Sequence, residues 1–294
     1  MIACSTNYLD NDKQLMLRPN NQNDSLNSSA IFSYGPNHEL DIDIENSSLR
    51  HNIVRELFKG NISSPIHDEL QLGGLRILDV GCGSGTWLFE VSSDYPLCEC
   101  IGMDRTKPFI DNRPKNVNFV LANILEEFPL CDNSFDFVYV RNLSYDLTEF
   151  QWTHLINECI RVLKPGCYFE VTETELYMNN TGPIMKKMVG NVLKFLSSKG
   201  INLQIIGRIQ EILESTQKLQ KVTHIVRPFP MGSWRKELRY ACETYSCDIM
   251  RGISAKFGGV KTKKENEEML QRLVAEANNY GSYFNIHKFY GKKI

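Results

Sequence analysis

A short segment of the chain combines one acidic residue with glycines at alternate positions. Asp79 lies near the end of an apolar run, and Gly81, Gly83 and Gly85 follow it, with Cys82 between the first two. Glycine lets a ligand approach the backbone closely and adopts turn conformations that other residues disfavour. Because a helical pattern begins directly afterwards, this segment is expected to present backbone amides to a polar or anionic ligand at the start of a helix.

Three kinds of cofactor bind to glycine-rich loops of this kind. A nucleoside triphosphate loop requires Gly-Lys followed by Ser or Thr, which this segment lacks. A dinucleotide loop has its last glycine at the position that Thr86 occupies here. The alternating pattern from Asp79 to Gly85 instead resembles motif one of the class I S-adenosylmethionine-dependent methyltransferases, and a purely structural glycine turn is the alternative. In that class the acidic residue helps to hold the amino acid portion of the cofactor.

A second apolar run ends in Met103 and Asp104, one strand–helix crossover after Asp79. Both acidic side chains are therefore expected at the same edge of neighbouring parallel strands. A carboxylate accepts two hydrogen bonds from adjacent hydroxyls, which an adenosine ribose presents. On its own Asp104 would be interpreted as a surface acid, but its place after the glycine loop favours ribose binding.

Two further strand ends complete the predicted cofactor site. Asn123 stands where the family has an adenine-contacting acidic residue, and its side-chain carbonyl can still accept a hydrogen bond from the exocyclic amine. Ile124 is expected to pack on the adenine ring. The segment 132–143 resembles the strand that faces the sulfonium, which places Arg141 and Asn142 beside the reacting centre. An ion pair between Arg141 and a surface acid is an equal alternative.

The elements that must position these residues alternate between strands and helices. Such alternation predicts a parallel sheet that is covered on both faces, because parallel connections need long crossovers. The predicted fold is α/β, a Rossmann-like doubly wound sheet of about seven mostly parallel strands with helices on both faces. The strands are predicted at 76–80, 99–103, 117–121, 135–140, 168–172, 221–226 and 283–290, and the helices at 44–58, 86–93, 150–163, 203–216 and 265–279.

Composition limits the partners that the chain can have. The 294 residues carry 33 Lys and Arg against 35 Asp and Glu, a net charge of −2, so no basic field favours nucleic acid. The cysteines lack paired metal-site spacing, so no metal is predicted and free thiols are expected. No targeting signal and no membrane-length apolar run is present. A cytoplasmic or nuclear protein without membrane contact is therefore expected.

The resemblance extends beyond the cofactor motifs. Together with Tyr34, the segments 49–51, 158–166, 232–234 and 286–293 look like those of the fungal LaeA-like, velvet-associated methyltransferases. This resemblance implies S-adenosylmethionine as the cofactor, and we include Tyr34 in the predicted cofactor site. Cys167 departs from the family, which usually has a second glycine there.

The sequence also predicts the domain organisation and candidate residues for the acceptor site. Residues 1–37 are rich in Asn, Asp, Ser and Gln and predict a disordered leader, followed by a methyltransferase domain at 38–294 with helical insertions near 174–216 and 228–280. Apolar residues between 184 and 196 fit either a lid over the pocket or a core-facing helix. A catalytic base is needed only for a protonated acceptor, and the candidates are Glu170, Glu173 and Glu175, of which Glu175 is interpreted as a solvated charge.

The predicted function is methyl transfer from S-adenosylmethionine to an unidentified acceptor, either a small metabolite or a protein. The alternative is a cofactor-binding regulatory protein that acts mainly as a partner in a nuclear complex. A nicotinamide-dependent dehydrogenase is disfavoured by Thr86.

Overall fold

A seven-stranded sheet organises the part of the chain that the structure, a computed structural model, describes. The described residues are 40–106, 113–175, 177–233 and 239–294, so the predicted leader and Tyr34 lie outside them. The strands lie in the order β3-β2-β1-β4-β5-β7-β6. They are β1 (Arg76–Val80), β2 (Glu99–Asp104), β3 (Val117–Leu121), β4 (Phe135–Arg141), β5 (Leu163–Thr174), β6 (Thr223–Pro230) and β7 (Tyr283–Lys292).

The first five strands are parallel, and β7 runs antiparallel to both of its neighbours, β5 and β6. This arrangement confirms the prediction of a doubly wound, mostly parallel sheet. Strand β1 is buried along almost its whole length, as expected for a central parallel strand with helices on both faces.

Helices cover both faces of the sheet. They are α1 (Leu40–Phe58), α2 (His67–Leu72), α3 (Thr86–Asp94), α4 (Glu149–Val162), α5 (Pro183–Ser198), α6 (Ile205–Ser215), α7 (Arg239–Phe257) and α8 (Lys263–Tyr280). Helices α4 and α6 pack in the main core on one face, whereas α3 packs in a separate cluster on the other. The short α2 was not predicted from the sequence, and the long α7 lies within the helical insertion that was predicted near 228–280 without bounds of its own.

Local signals explain where α4 begins and ends. Thr148 and Gln151 form a reciprocal capping box at its first turn, which satisfies backbone amides that otherwise have no partner. The helix ends at Val162, and Leu163 already has extended backbone as the first residue of β5. The strand therefore begins five residues before the predicted start at Tyr168, and its second residue, Lys164, precedes Pro165 and so favours extended backbone.

A helical layer formed by α1, α5, α7 and α8 surrounds a third apolar cluster beside β6 and β7. Met185 and Met188 of α5 are buried in this cluster, and Leu196 at its other end is buried in the main core. The contacts of α5 in the described part of the chain are therefore those of a core-facing helix, and not those of a lid over the pocket.

Glu276 of α8 caps the start of α5. Its two carboxylate oxygens accept hydrogen bonds from the backbone amides of Ile184 and Met185, at 2.9 and 2.8 Å, where the N-cap Gly182 has no capping side chain. We expect Glu276→Ala to lower the free energy of unfolding by about 1–2 kcal/mol, measured by urea denaturation, because two amides and a helix dipole lose their anion. Glu268→Ala, an exposed site on the same helix, is the matched control. Equal effects of the two variants would contradict the capping role.

The cysteines depart from expectation at one position. Seven described cysteines are free thiols, whereas Cys131 is disulfide-bonded. None of the described helices is long and apolar enough to cross a membrane.

Candidate functional site

The glycine loop leaves the carboxyl end of β1 and is anchored to β2. The backbone amides of Gly81 and Cys82 both donate to the carbonyl oxygen of Met103, at 2.7 and 3.2 Å. Gly85 is the N-cap of α3 and has a φ of 77°, and a Cβ there would lie 2.7 Å from the ring of Phe89. The loop therefore requires glycine at this position both for its backbone conformation and for its close packing.

Asp104 closes the same loop from the end of β2. One of its carboxylate oxygens accepts a hydrogen bond from the Gly83 amide at 2.9 Å. The other accepts from the amide and the hydroxyl of Thr106, at 3.0 and 3.1 Å. The carboxylate therefore lies against the glycine loop, as expected from the spacing of the two strand ends.

Asp79 lies beneath this loop and is 3% exposed. It is in register with Gly102 on one side and with Tyr139 on the other, so it occupies the centre of the sheet. Burial raises the pKa of Asp79 to about 7, against the opposing effect of the nearby Arg141 guanidinium. The side chain therefore titrates near neutral pH.

Arg141 ends β4 and contacts a histidine from the N-terminal helix. Its Nη1 lies 3.0 Å from Nδ1 of His51, and Nε2 of His51 contacts the Glu90 carboxylate of α3. The second oxygen of Glu90 pairs with Arg55. Burial, followed by the neighbouring Arg141 charge, lowers the pKa of His51 to about 3, so the ring is neutral. Among the residues that the structure describes, Arg141 is thus linked to α1 and α3, and not to a surface acid.

The turn after β4 is held in position by Glu173. Asn142 has a left-handed φ of 59°, and the amides of Leu143 and Ser144 that follow donate to the two oxygens of Glu173, at 2.8 and 3.0 Å. Burial raises the pKa of Glu173 to about 7, against the effect of these backbone hydrogen bonds. Glu173 therefore orders the turn beside the predicted reacting centre.

The remaining predicted cofactor residues lie at the ends of β2 and β3. Asn123 forms a local turn in which its side-chain oxygen accepts from the Leu125 amide at 3.0 Å and its side-chain nitrogen donates to the Glu126 carboxylate at 3.0 Å. Ile124 is half-buried against the main core. The Met103 side chain is completely buried in the core, so its role at the loop is that of its backbone carbonyl.

The candidate bases are all engaged in other contacts. Glu170 is completely buried and pairs with Lys288 at 3.0 Å, and Glu173 holds the turn after β4. Glu175 is half-buried and accepts hydrogen bonds from the side chains of Asn285 and Asn179, at 2.9 and 3.2 Å, so its interpretation as a solvated charge is wrong. Each carboxylate is close to partners that are distant in the sequence.

Sequence reasoning missed two residues of the site, His51 and Glu90. His51 was noticed only within a segment shared with the family, and Glu90 lies in a helix without any chemical signal. Their contact joins α1 to α3, and no local spacing predicts it. Among the residues that the structure describes, no group of three or more His, Cys, Asp or Glu side chains is arranged to hold a metal ion.

One stretch of the chain at this edge of the sheet matches a known protein family. Residues 77–166 match a family described as a methyltransferase domain, and this stretch includes most of β1, the glycine loop and the end of β4. The match confirms the predicted resemblance to the class I S-adenosylmethionine-dependent methyltransferases.

Individual relatives are consistent with the predicted resemblance to LaeA-like proteins. The chain is 33% identical over 104 residues to the secondary metabolism regulator laeA of Coprinopsis cinerea, covering 35% of this chain and 25% of that protein. It is 25% identical over 185 residues to methyltransferase str3 of Strobilurus tenacellus, covering 56% of this chain and 64% of that protein. The chain thus matches less than two thirds of the length of either relative.

A solved structure shows the same fold. Phosphoethanolamine N-methyltransferase 2 of Haemonchus contortus, in complex with phosphomonomethylethanolamine and S-adenosylhomocysteine, aligns with a TM-score of 0.50 and 15% sequence identity. The alignment covers 87% of this chain and 59% of that one.

Proposed function

We propose that this protein is a methyltransferase that binds S-adenosylmethionine at the carboxyl edge of β1, β2, β3 and β4. The observation that carries the proposal is the hydrogen bond from the Gly83 amide to Asp104, which joins the end of β2 to the glycine loop that follows the buried Asp79. The residues proposed to hold the cofactor are Asp79, Gly81, Cys82, Gly83, Gly85, Met103, Asp104, Asn123, Ile124, Arg141 and Asn142, together with Tyr34 outside the described residues.

The donors and acceptors at this edge fit that cofactor. Asp104 provides carboxylate oxygens for ribose hydroxyls, and Asp79 provides an acceptor for an ammonium group. A Cβ on Gly81 would approach the side chain of Leu143 to 3.3 Å, so the glycine keeps space open between the loop and the turn after β4. When bound, S-adenosylmethionine supplies a methyl group on a sulfonium, which is already a good leaving group.

The protein's own contribution is then to bind, to align and to exclude water. Glu170, Glu173 and Glu175 each hold other residues of the fold, so none of the three is assigned as a general base. A base is needed only for an acceptor that is protonated at neutral pH. An acceptor atom that carries a free lone pair at neutral pH therefore fits the site best, on a small metabolite or on a protein.

The ribose assignment makes a direct prediction. We expect Asp104→Ala to reduce the affinity for S-adenosylmethionine roughly tenfold to a hundredfold, because a charged acceptor contributes about 1.5–3 kcal/mol to its hydrogen bonds. Isothermal titration calorimetry measures the affinity, and circular dichroism verifies the fold. An affinity equal to that of the wild type would remove Asp104 from the site.

The transfer itself is tested with methyl-labelled S-adenosylmethionine and fractionated fungal extract. We expect label to appear in a macromolecular or small-molecule fraction with the wild-type protein and to be strongly reduced with Asp104→Ala. Mass spectrometry of the labelled fraction then identifies the acceptor. Cofactor binding without transfer to any fraction would contradict the enzymatic proposal.

A regulatory role is the second candidate, because a relative of this chain is named a secondary metabolism regulator. In this case the protein binds the cofactor and acts through a protein partner in the nucleus. Affinity purification from nuclear and cytoplasmic extracts distinguishes the two candidates: a stable nuclear partner together with absent methyl transfer favours the regulatory role.

A further inference from the structure

Two histidines on neighbouring strands, β6 and β7, are in contact outside the predicted cofactor residues. Nε2 of His224 on β6 lies 2.9 Å from Nδ1 of His287 on β7, and the two ring planes are 22° from parallel. His224 is exposed and lies against the ring of Phe289, with 4.2 Å between the ring centroids, whereas His287 is 8% exposed. The two imidazoles therefore extend from the protein surface into its interior.

A carboxylate lies at the inner end of this pair of rings. Nε2 of His287 is 3.6 Å from Oε1 of Glu175, the residue that follows β5. This distance is too long for a hydrogen bond, and among the described residues this nitrogen has no hydrogen-bond partner. Although burial raises it, the interactions with His287 and Asn285 lower the pKa of Glu175 overall. An ionised carboxylate therefore faces a buried ring nitrogen at neutral pH.

The contacts determine where the ring protons lie. In the neutral pair, Nε2–H of His224 donates to Nδ1 of His287, because the ring proton of His287 then lies on Nε2, towards the Glu175 carboxylate. When one proton is added to His287, both of its nitrogens donate, and Nδ1–H is directed at His224. A second proton would place two N–H groups against each other. The two rings therefore share one added proton and resist a second.

The strands beside β7 carry one further titratable group on this face of the described sheet. Glu173 of β5 is in register with His287, and its carboxylate accepts from the backbone amides of the turn after β4. Burial raises the pKa of Glu173 to about 7, so it titrates in the same pH range as an ordinary histidine. Lys288 and Arg227 project from the opposite face, because side chains alternate along a strand. Glu173 is therefore the group from which the histidine pair has to be separated.

Glu175 also connects the chain after β5 to the start of β7. Its Oε2 accepts hydrogen bonds from the side chains of Asn285 and Asn179, at 2.9 and 3.2 Å. Asn179 forms a bridge with Tyr283, in which the Asn179 amide donates to the Tyr283 carbonyl oxygen at 2.7 Å. The position of the Glu175 carboxylate therefore influences this bridge.

We propose that His224, His287 and Glu175 form a pH-sensitive link that takes up one proton and then holds the bridge between Asn179 and Tyr283 more firmly. Protonated His287 directs a charged N–H at Glu175, and the 3.6 Å separation closes to a charge-assisted hydrogen bond. Histidine takes up such a proton near about pH 6.5, where a glutamate is already ionised. The added stability of the bridge is present below this titration and is lost as the pH rises through it. The link does not depend on cofactor binding.

Amide hydrogen exchange of the full chain, followed by NMR, measures the bridge. In the wild type we expect the protection factors of the Asn179 and Tyr283 amides to be roughly twofold to fivefold higher at pH 5.5 than at pH 8, the effect of a partly exposed ion pair. His287→Gln should abolish this difference, because the amide takes up no proton. His154→Gln, at a half-buried histidine of α4, is the matched control and should retain the difference.

A second variant keeps the test informative if His287→Gln does not fold. Glu175→Gln retains a side-chain oxygen for Asn285 and Asn179 but has no charge, so it should also abolish the difference between the two pH values. Glu173→Gln should retain it. If Glu175→Gln keeps the difference, or if Glu173→Gln loses it, the histidine pair is not the source and the proposal is overturned.

Carbon-13 NMR of the histidine rings tests the single proton. Burial, followed by the charge of His287, lowers the pKa of His224. We therefore expect the His224 ring to remain neutral in the wild type while the pair takes up its first proton, and to titrate at a higher pH in His287→Gln. If both rings take up a proton over the same pH range in the wild type, the shared proton is refuted.

Discussion

Asp79→Asn is expected to weaken S-adenosylhomocysteine binding roughly tenfold to a hundredfold at pH 7.5, because a buried amide replaces the carboxylate that we propose to pair with the ligand's ammonium. The pH dependence of binding is the sharper test. Burial raises the pKa of Asp79 to about 7, so the carboxylate form is present above this pH and is lost below it. The wild-type affinity should therefore fall as the pH decreases from 7.5 to 5.5.

The ionisation of Asp79 sets how steeply the affinity for S-adenosylhomocysteine falls with decreasing pH. Each pH unit below the pKa lowers the fraction of ionised Asp79 about tenfold, and the affinity falls with it until the pKa of the complex is reached. The ligand's ammonium remains largely protonated over this range, so it does not reverse the sign. In Asp79→Asn this contribution is absent, and the affinity should be nearly independent of pH.

Glu173→Gln is the matched control, because Glu173 is also buried and its pKa is also raised to about 7. Its carboxylate faces the turn after β4, so this variant should retain the acid-side loss of affinity. If the affinity of Glu173→Gln did not depend on pH while that of Asp79→Asn still did, the titrating group would be Glu173 and not Asp79. That result would contradict the prediction.

The second large effect concerns stability. Glu170→Gln is expected to lower the free energy of unfolding by about 3–5 kcal/mol, because it leaves the Lys288 ammonium buried without its counter-ion. The two side chains are 0% and 1% exposed and lie 3.0 Å apart. Glu170 also accepts from the amides of Ser63 and Ser64, at 2.9 and 2.8 Å, so the variant loosens the loop after α1 as well. Urea denaturation measures the change.

A surface pair provides the control for this effect. Glu211 pairs with Arg208 on the exposed side of α6, and Glu211→Gln should change the free energy of unfolding by less than about 1 kcal/mol. A double variant, Glu170→Met with Lys288→Met, should recover part of the loss, since an apolar pair of similar size often replaces a buried ion pair without penalty. Similar effects of Glu170→Gln and Glu211→Gln would show that the buried pair contributes little.

The cofactor half of the protein could be predicted because its signals are local. The apolar run that forms β1 passes directly into the glycine loop, and the turn conformation at Gly85 is one that few other residues adopt. The order of strands and helices then required Asp79 and Asp104 to lie at one edge of a parallel sheet. The assignment of individual residues to the cofactor stays a prediction.

The rest of the protein, outside the predicted cofactor motifs, depends on contacts between residues that are distant in the sequence. Glu170 was considered as a base because nothing near it in the sequence indicates Lys288, which lies on the last strand. Helix α7 was predicted only as part of a helical insertion near 228–280, without bounds, because its sequence mixes polar and apolar residues with only weak helical periodicity. The contact of His51 with Glu90 forms only when α1 packs against α3, and the spacing of their residues does not indicate it.

The position of β7 between β5 and β6 has a consequence for the biogenesis of the protein. Strand β6 leaves the ribosome earlier than β7, yet β7 is its hydrogen-bonded neighbour in the described sheet. The Glu170 carboxylate likewise cannot form its ion pair until Lys288 has been synthesised, more than a hundred residues later. The edge of the sheet therefore closes only after translation of the last strand, and until then a nascent chain carries an unpaired strand and a carboxylate without its counter-ion.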